Sequence, residues 1–393
     1  MSDERRRDGR GTALAWMPLL AGAINSYGPV AMNYGFALYF LTYRHGFVKR
    51  GLVGEVFSQQ TWMPRGELIA IEYAFLAAAF ALSYVVFRDL LFGTIAERRL
   101  AAALLCAPAM LPHLGFLFAQ PDVTLYILTL GGVAALLWMR PLAGAAASCL
   151  LCCIALLAHE AFSLMFYPLI AAILLQLCMR RRLSWAAGLA HVAIVALVFI
   201  AVLHFGTLEV SPDLILREAQ VRTNVGVQRQ VYDVMASNLS EQRGLLHQMY
   251  GAYVWRVLGV TFVFSLPYFV LLGRLLFGTL RAAGAQLWQR ITTGLLFLAP
   301  LTLCWFGHDV SRWLGAMGID VTLFILWMYL DERRESTDGM LAQNGTNNVR
   351  IFLTKWVAGP NYTAWLIYLL VIGPFGATGI RSAEQLVQAW WGP

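Results

Sequence analysis

Charge is what this sequence holds least of. Only 13% of its 393 residues are Asp, Glu, Lys or Arg, against roughly 25% in a soluble globular chain. That leaves too little polar surface for a water-soluble domain. Cysteine is also scarce, and all six (Cys106, Cys149, Cys152, Cys153, Cys178, Cys304) fall inside apolar stretches. The run Cys149-x-x-Cys152-Cys153 has no second ligand pair nearby in sequence, so small buried side chains outweigh metal or redox work as its reading. No internal repeat is visible, which argues against a transporter built from inverted halves. The pair His159-Glu160 does not extend to H-E-x-x-H, because Ser163 stands where the second histidine belongs, so a zincin-type metal site is not supported.

What the chain has instead is apolar length, with 59% hydrophobic residues and a mean hydropathy of +0.63. A helix crosses a bilayer with about 20 mostly apolar residues. Such stretches lie at 13–42, 68–88, 100–119, 122–139, 141–158, 161–179, 184–205, 254–277, 291–307, 313–330 and 356–375. The first is too long to cross straight, and Asn25, Gly28, Pro29, Asn33 and Gly35 predict a kink or tilt. It is also too long for the core of a cleaved signal peptide. The expected fold is an all-α, polytopic integral membrane helical bundle of about eleven spans, forming one domain over 1–393.

Lysine and arginine orient it. With the N-terminus in the cytoplasm, 18 of the 29 basic residues fall on the cytoplasmic side and every cytoplasmic connection carries at least one. Two outer connections carry none, so the positive-inside rule gives N-in, C-out. The net charge of +7 is then a topology signal and needs no nucleic-acid partner. Two outer loops are long, 43–67 and 206–253. The second contains Ser211-Pro212-Asp213, an N-cap, a first-turn proline and an acidic first turn. It predicts an amphipathic helix that lies along the interface or folds over a site opening. The polar cytoplasmic segment 331–354 reads as a flexible linker.

The polar residues gather on the outer side, where twelve of the 22 acids and six of the seven histidines fall. Arg44, His45, Lys49 and Arg50 sit among Gly46, Gly51 and Gly54. Arginine and lysine on a glycine-bearing loop can bind a lipid-linked phosphate or diphosphate, or can simply anchor to headgroups and membrane lipid. Asp122 opens the fourth stretch behind Pro121, as an active carboxylate or as a helix cap. His159 and Glu160 fill a gap too short for a loop, and polar groups that close to hydrocarbon usually face a bundle interior or a wet cavity. Adjacent acid and imidazole can share proton-transfer work. His308, Asp309 and Arg312 straddle an outer turn, and the i, i+3 spacing lets Asp309 and Arg312 pair. Asp320 lies deeper, an intramembrane carboxylate.

On the residues GFVKRGLVG, PD, HE and HDVSRW, the chain resembles bacterial polytopic glycosyltransferases of the GT-C superfamily. The resemblance covers most of the chain in layout but only about 25 residues in motif. It implies sugar transfer from a polyprenyl-phosphate-linked donor to a glycan acceptor, at the outer face of a bacterial inner membrane, during assembly of cell-envelope glycan. An acid near the first or second outer loop would be the base, a role falling by position to Glu55 or Asp122. The sequence departs in lacking D-x-D in its first outer loop. An inverting transfer needs a carboxylate to take the acceptor proton, for which Asp122, Glu160, Asp309 and Glu55 are the candidates. It also needs cations for the departing phosphate, for which Arg44, Lys49, Arg50 and Arg312 are candidates, with His45, His159 and His308 beside them. No cofactor is certain from the sequence, and a divalent metal stays open. The rival readings are an O-antigen-type polymerase or ligase, and a lipid-linked glycan flippase or exporter.

Overall fold

The computed structural model describes residues 33–116, 120–237, 252–305, 309–337 and 348–358, with the positions 362, 368, 374 and 375. The described residues are helical and contain no β-strand. Counting helices of six or more residues, these are α1 Gly51–Val56, α2 Arg65–Leu91, α3 Ile95–Leu105, α4 Leu111–Phe116, α5 Asp122–Trp138, α6 Pro141–Ala158 and α7 Tyr167–Met179. There follow α8 Trp185–Phe205, α9 Pro212–Arg222, α10 Arg229–Ala236, α11 Ala252–Ala282, α12 Leu287–Phe297, α13 Val310–Thr337 and α14 Asn348–Ala358.

Five helical segments are long and apolar enough to cross a bilayer: Arg65–Leu91, Pro141–Ala158, Trp185–Phe205, Gly259–Ala282 and Val310–Arg334. The last of these is buried throughout its apolar window, whereas Arg65–Leu91 and Trp185–Phe205 are 22% buried in theirs. Leu189, Leu197, Ile200, Phe262, Val263 and Leu295 stand exposed on the outside of the bundle. Apolar area on that scale suits hydrocarbon and not water. The protein is an all-α membrane protein with α13 as its central post. Its core runs through Phe324, Trp327 and Tyr329 to Phe162, Phe166, Tyr126 and Phe87.

Several helices are broken at depth. The run from α3 to α4 breaks at Cys106–Met110, where Pro108 removes a donor. The run from α6 to α7 breaks at His159 and Glu160. Broken backbone is tolerated at membrane depth only where protein or a wet cavity satisfies it.

The chain's charges collect at the two ends of the bundle. At one end Asp331, fully buried, takes Arg180 Nη1 at 2.8 Å and Arg182 Nη1 at 2.6 Å. Glu97 accepts from the Tyr329 hydroxyl at 2.7 Å and meets Arg333 at 3.3 Å and Arg350 at 3.4 Å. Glu332 accepts from the Arg350 amide at 2.9 Å, in the open first turn of α14. Every one of these residues is on the side the basic residues mark as cytoplasmic. The expected linker 331–354 is corrected here. Asp331–Thr337 continues α13 and Asn348 opens α14, leaving 338–347 outside the described residues. A charged run reads as solvated in sequence, but here Asp331, Glu332, Arg333 and Arg334 each find a partner outside their own helix.

At the other end, residues 36–63 and 208–235 pack together as a cap with a core of its own, built from Phe36–Leu41, Val48, Met63, Ile215, Ala219, Val231, Tyr232 and Met235. The predicted helix is present as α9, with Ser211 Oγ accepting from the Asp213 amide at 3.3 Å and Ile215 and Ala219 buried. The loops are tied by Met63 N to Arg222 O at 2.7 Å, Lys49 N to Gly206 O at 2.9 Å, and Arg222 Nη2 to the carbonyls of Phe57 and Gln60 at 3.1 and 3.0 Å. Helix α1 lies so close over the 36–41 segment that a Cβ on Gly54 would collide with the Leu41 carbonyl and stand 2.9 Å from the Leu38 oxygen. Both obstacles are backbone, so Gly54→Ala is expected to destabilise the protein by about 1–3 kcal/mol. Thermal unfolding in detergent checks this, and an unchanged midpoint would show that the close approach is not needed.

The first predicted span falls mostly in residues outside those described; Asn33–Phe36 is α-helical and Ala37–Phe40 is 3-10 helix. Of the last, 356–375, only Trp356, Val357, Ala358, Tyr362, Tyr368, Pro374 and Phe375 are described with their side chains.

Candidate functional site

Beneath the cap, four separate sequence motifs meet. The loop after Tyr43 turns at Gly46 (φ 104°) and again at Arg50, which caps α1 in the left-handed conformation (φ 64°). Gly51 follows because a Cβ there would lie 2.6 Å from Tyr43 Cε1. This turn points Arg50 into the bundle. Its Nε donates to both Glu160 oxygens at 2.9 and 3.0 Å, and its Nη2 pairs with Glu160 Oε1. The two side chains are only 13% and 15% exposed.

Glu160 reaches this position because α6 stops at Ala158 and His159 turns extended (φ −165°, ψ 120°). The Ala161 amide donates to His159 Nδ1 at 3.1 Å. That nitrogen therefore carries a lone pair, and a neutral His159 bears its proton on Nε2. Its 3.7 Å approach to Glu160 Oε2 is then proximity and not a charged pair. Burial pushes the His159 imidazole down to about 3, with Arg50 adding to the effect, so the ring is neutral at pH 7. Burial alone would push the Glu160 carboxyl up, but Arg50 overrides it and holds it well below the usual carboxylate range.

The second arginine enters from α13. Arg312 Nε donates to Asp122 Oδ1 at 2.9 Å, and Nη2 stands 2.7 Å from Asp122 Oδ2, although too bent there to count as a hydrogen bond. Nη1 donates to Asp309 Oδ2 at 3.1 Å, the i, i+3 pair expected from spacing. Asp122 is wholly buried, Arg312 nearly so, and Asp309 is 39% exposed. His159 lies within electrostatic reach of both ion pairs, so the HE break and the two arginines form one charged cluster.

Lys49 joins them. Burial lowers its ammonium below the usual value, with Glu160 opposing. Among the described residues it makes no ion pair within 4 Å. A half-buried cation outside any close ion pair, beside an arginine held by a buried acid, is suited to an incoming anion.

The remaining candidates lie elsewhere on this end. Glu55 accepts from the Tyr43 amide at 2.9 Å and so braces the loop. His45 Nε2 meets both Glu218 oxygens at 3.1 Å, and Arg44, 76% exposed, stands 4.0 Å from Glu218. Glu55, Arg44 and Glu218 line an open groove of about 720 Å³ between the first loop and α9. His308 lies outside the described residues. Asp320 is fully buried at mid-helix, and its oxygens make no hydrogen bond among the described residues.

Sequence reasoning did not single out His113. It is fully buried, donates through Nδ1 to the Phe375 carbonyl at 3.0 Å, and lies within electrostatic reach of Asp122 and Arg312. Helix α13 crosses its ring at Gly315, where a Cβ would stand 2.7 Å from Nε2. The usable signal was Pro112 beside it at a helix break. Among the described residues no three His, Cys, Asp or Glu side chains gather as a metal site. No protein-family model, curated protein or solved structure matches the chain.

Proposed function

We propose that this protein is a membrane glycosyltransferase of the GT-C type. It would take a polyprenyl-phosphate-linked sugar at the outer face of the bacterial inner membrane and pass the sugar to a cell-envelope glycan. One observation carries the reading: the ion pairs Arg50–Glu160 and Arg312–Asp122, from motifs far apart in the chain, both lie within electrostatic reach of His159, and Lys49 lies within reach of the first. Cations held in place by buried acids stabilise the charge that develops on a departing phosphate, and their positioning beforehand is what makes such stabilisation strong.

The carboxylates divide by environment. Glu160 and Asp122 are each committed to an arginine and act as positioning residues, holding Arg50 and Arg312 in place. Asp309 keeps one arginine contact and is the most exposed of the three, so it is assigned as the base that takes the acceptor's proton. His159, neutral, sits between the pairs. In this reading the chain makes eleven crossings, N-in and C-out, with the capped end outside.

The experiment combines topology and product. In a background with the exposed Cys304 replaced by Ala, Val221→Cys at the capped end should react with an impermeant thiol reagent in cells stripped of their outer barrier. Arg88→Cys, at the opposite end, should react only after permeabilisation. The reverse pattern would overturn the orientation and with it the outer site. Product formation from a polyprenyl-phosphate-linked sugar by purified protein tests the chemistry directly.

Asp320 favours a second reading. A buried intramembrane carboxylate without a side-chain partner is what a proton-coupled exporter would use. Glycan export that persists without any transfer, and stops in Asp320→Asn, would select that reading.

A further inference from the structure

The end of the bundle away from the cap holds a recess of about 280 Å³, where the final turns of α2, the end of α5 and residues 330–334 of α13 meet. Part of its wall is apolar, built from Val85, Val86, Leu137, Trp138 and Leu330. The rest is charged, with Arg88, Arg333 and Arg334 against the one carboxylate of Asp89.

This basic excess is not cancelled by the surroundings. Arg334 Nη1 donates to the Leu137 carbonyl, and Arg333 Nη1 donates to the Asp89 carbonyl at 2.9 Å. Those bonds fix two guanidinium groups at the ends of α5 and α2 but remove none of their charge, and each guanidinium has five N–H donors. Glu97, 3.3 Å from Arg333, is shared with Arg350 at 3.4 Å. Asp331 is taken by Arg180 and Arg182. Arg88 stands 3.6 Å from the neighbouring Asp89 carboxylate with both side chains mostly exposed, and a pair of that kind is weak.

The recess opens on the surface that meets hydrocarbon. Tyr84, Val85 and Trp138 are exposed, and α2 is among the least buried of the candidate spans. A tryptophan at the end of an apolar helix sits at the level of the lipid headgroups. Arginines at that level beside an apolar wall match a ligand with a phosphate at one end and an acyl chain at the other. A free phosphate would make no use of the apolar wall, and a zwitterionic lipid brings no net charge to the arginines.

We infer that this recess binds one anionic phospholipid of the surrounding leaflet. Its phosphodiester lies against Arg88, Arg333 and Arg334, and its first acyl carbons run along Val85, Leu137 and Trp138. The inference rests neither on the transferase reading nor on which end of the bundle faces the cytoplasm.

Native mass spectrometry of the purified full chain in detergent tests it, with phosphatidylglycerol or phosphatidylcholine of the same acyl chains as probes. One phosphatidylglycerol should be retained on the order of tenfold more tightly than phosphatidylcholine, and added inorganic phosphate should not displace it. Arg88→Gln should weaken that retention about fivefold, the worth of one basic residue near an anionic lipid. Asp89→Asn should strengthen it, a gain that a folding defect would not produce. Arg281→Gln removes an exposed charge from the last turn of α11, outside the recess, and should leave retention unchanged. Equal retention of the two lipids, displacement by phosphate, or no gain in Asp89→Asn would overturn the inference. So would equal losses in Arg88→Gln and Arg281→Gln, which mark general surface attraction and not a site.

Discussion

Arg312→Met is expected to destabilise the protein by about 3–5 kcal/mol, the usual consequence of leaving a buried charge without its partner. Asp122, with none of its side chain exposed, would lose both guanidinium contacts and have no water to replace them. Arg312→Met combined with Asp122→Leu should recover most of the loss, because a buried ion pair replaced as a unit by apolar groups is often neutral. The unfolding midpoints of the two single variants and the double variant, in one detergent, decide the matter. If Arg312→Met shifts stability by less than about 1 kcal/mol, as an exposed pair would, the pair is not holding α13 against α5. Glu160 should follow the same pattern with Arg50, and its pH dependence has a fixed sign. Its folded-state carboxyl is held below the usual range. The stability it contributes is therefore present above about pH 4 and is lost as pH falls through the lower folded value.

If the protein is the transferase proposed above, Asp309→Asn should lower the turnover of sugar transfer by about 10²–10⁴-fold, the typical contribution of a positioned general base. Stability should change by no more than about 0.5 kcal/mol, since the side chain is partly solvated and away from the core. That combination separates it from Asp122→Asn and Glu160→Gln, which are expected to lower stability and activity together by releasing an arginine. Full turnover in Asp309→Asn would remove it as the base and return that role to the other carboxylates.

Much of the architecture was legible in the sequence because it depends on sums over many residues. Apolar length, low charge and the distribution of Arg and Lys predict a helical membrane protein. The two ends of the bundle collect the same residues that the basic-residue count assigned to each side. The Ser211-Pro212-Asp213 cap placed α9 correctly, since capping is local. The i, i+3 pairing of Asp309 with Arg312 was visible for the same reason. The 331–354 segment was misread where its charges meet partners more than 100 positions away, such as Arg180 with Asp331.

By itself, then, the sequence determined the class of fold, the helices with local signatures, and which four motifs carry unusual polarity. It could not tell a catalytic carboxylate from one that holds an arginine, because Asp122, Glu160 and Asp309 are alike as residue types. Only the tertiary structure decided that Glu160 meets Arg50 across 110 positions and Asp122 meets Arg312 across 190. Among the described residues it alone left Lys49 outside any ion pair within 4 Å. The physical reason is that charge in a low-dielectric bundle is governed by which partner lies within a few ångströms, and helix packing, not neighbouring sequence, sets those distances.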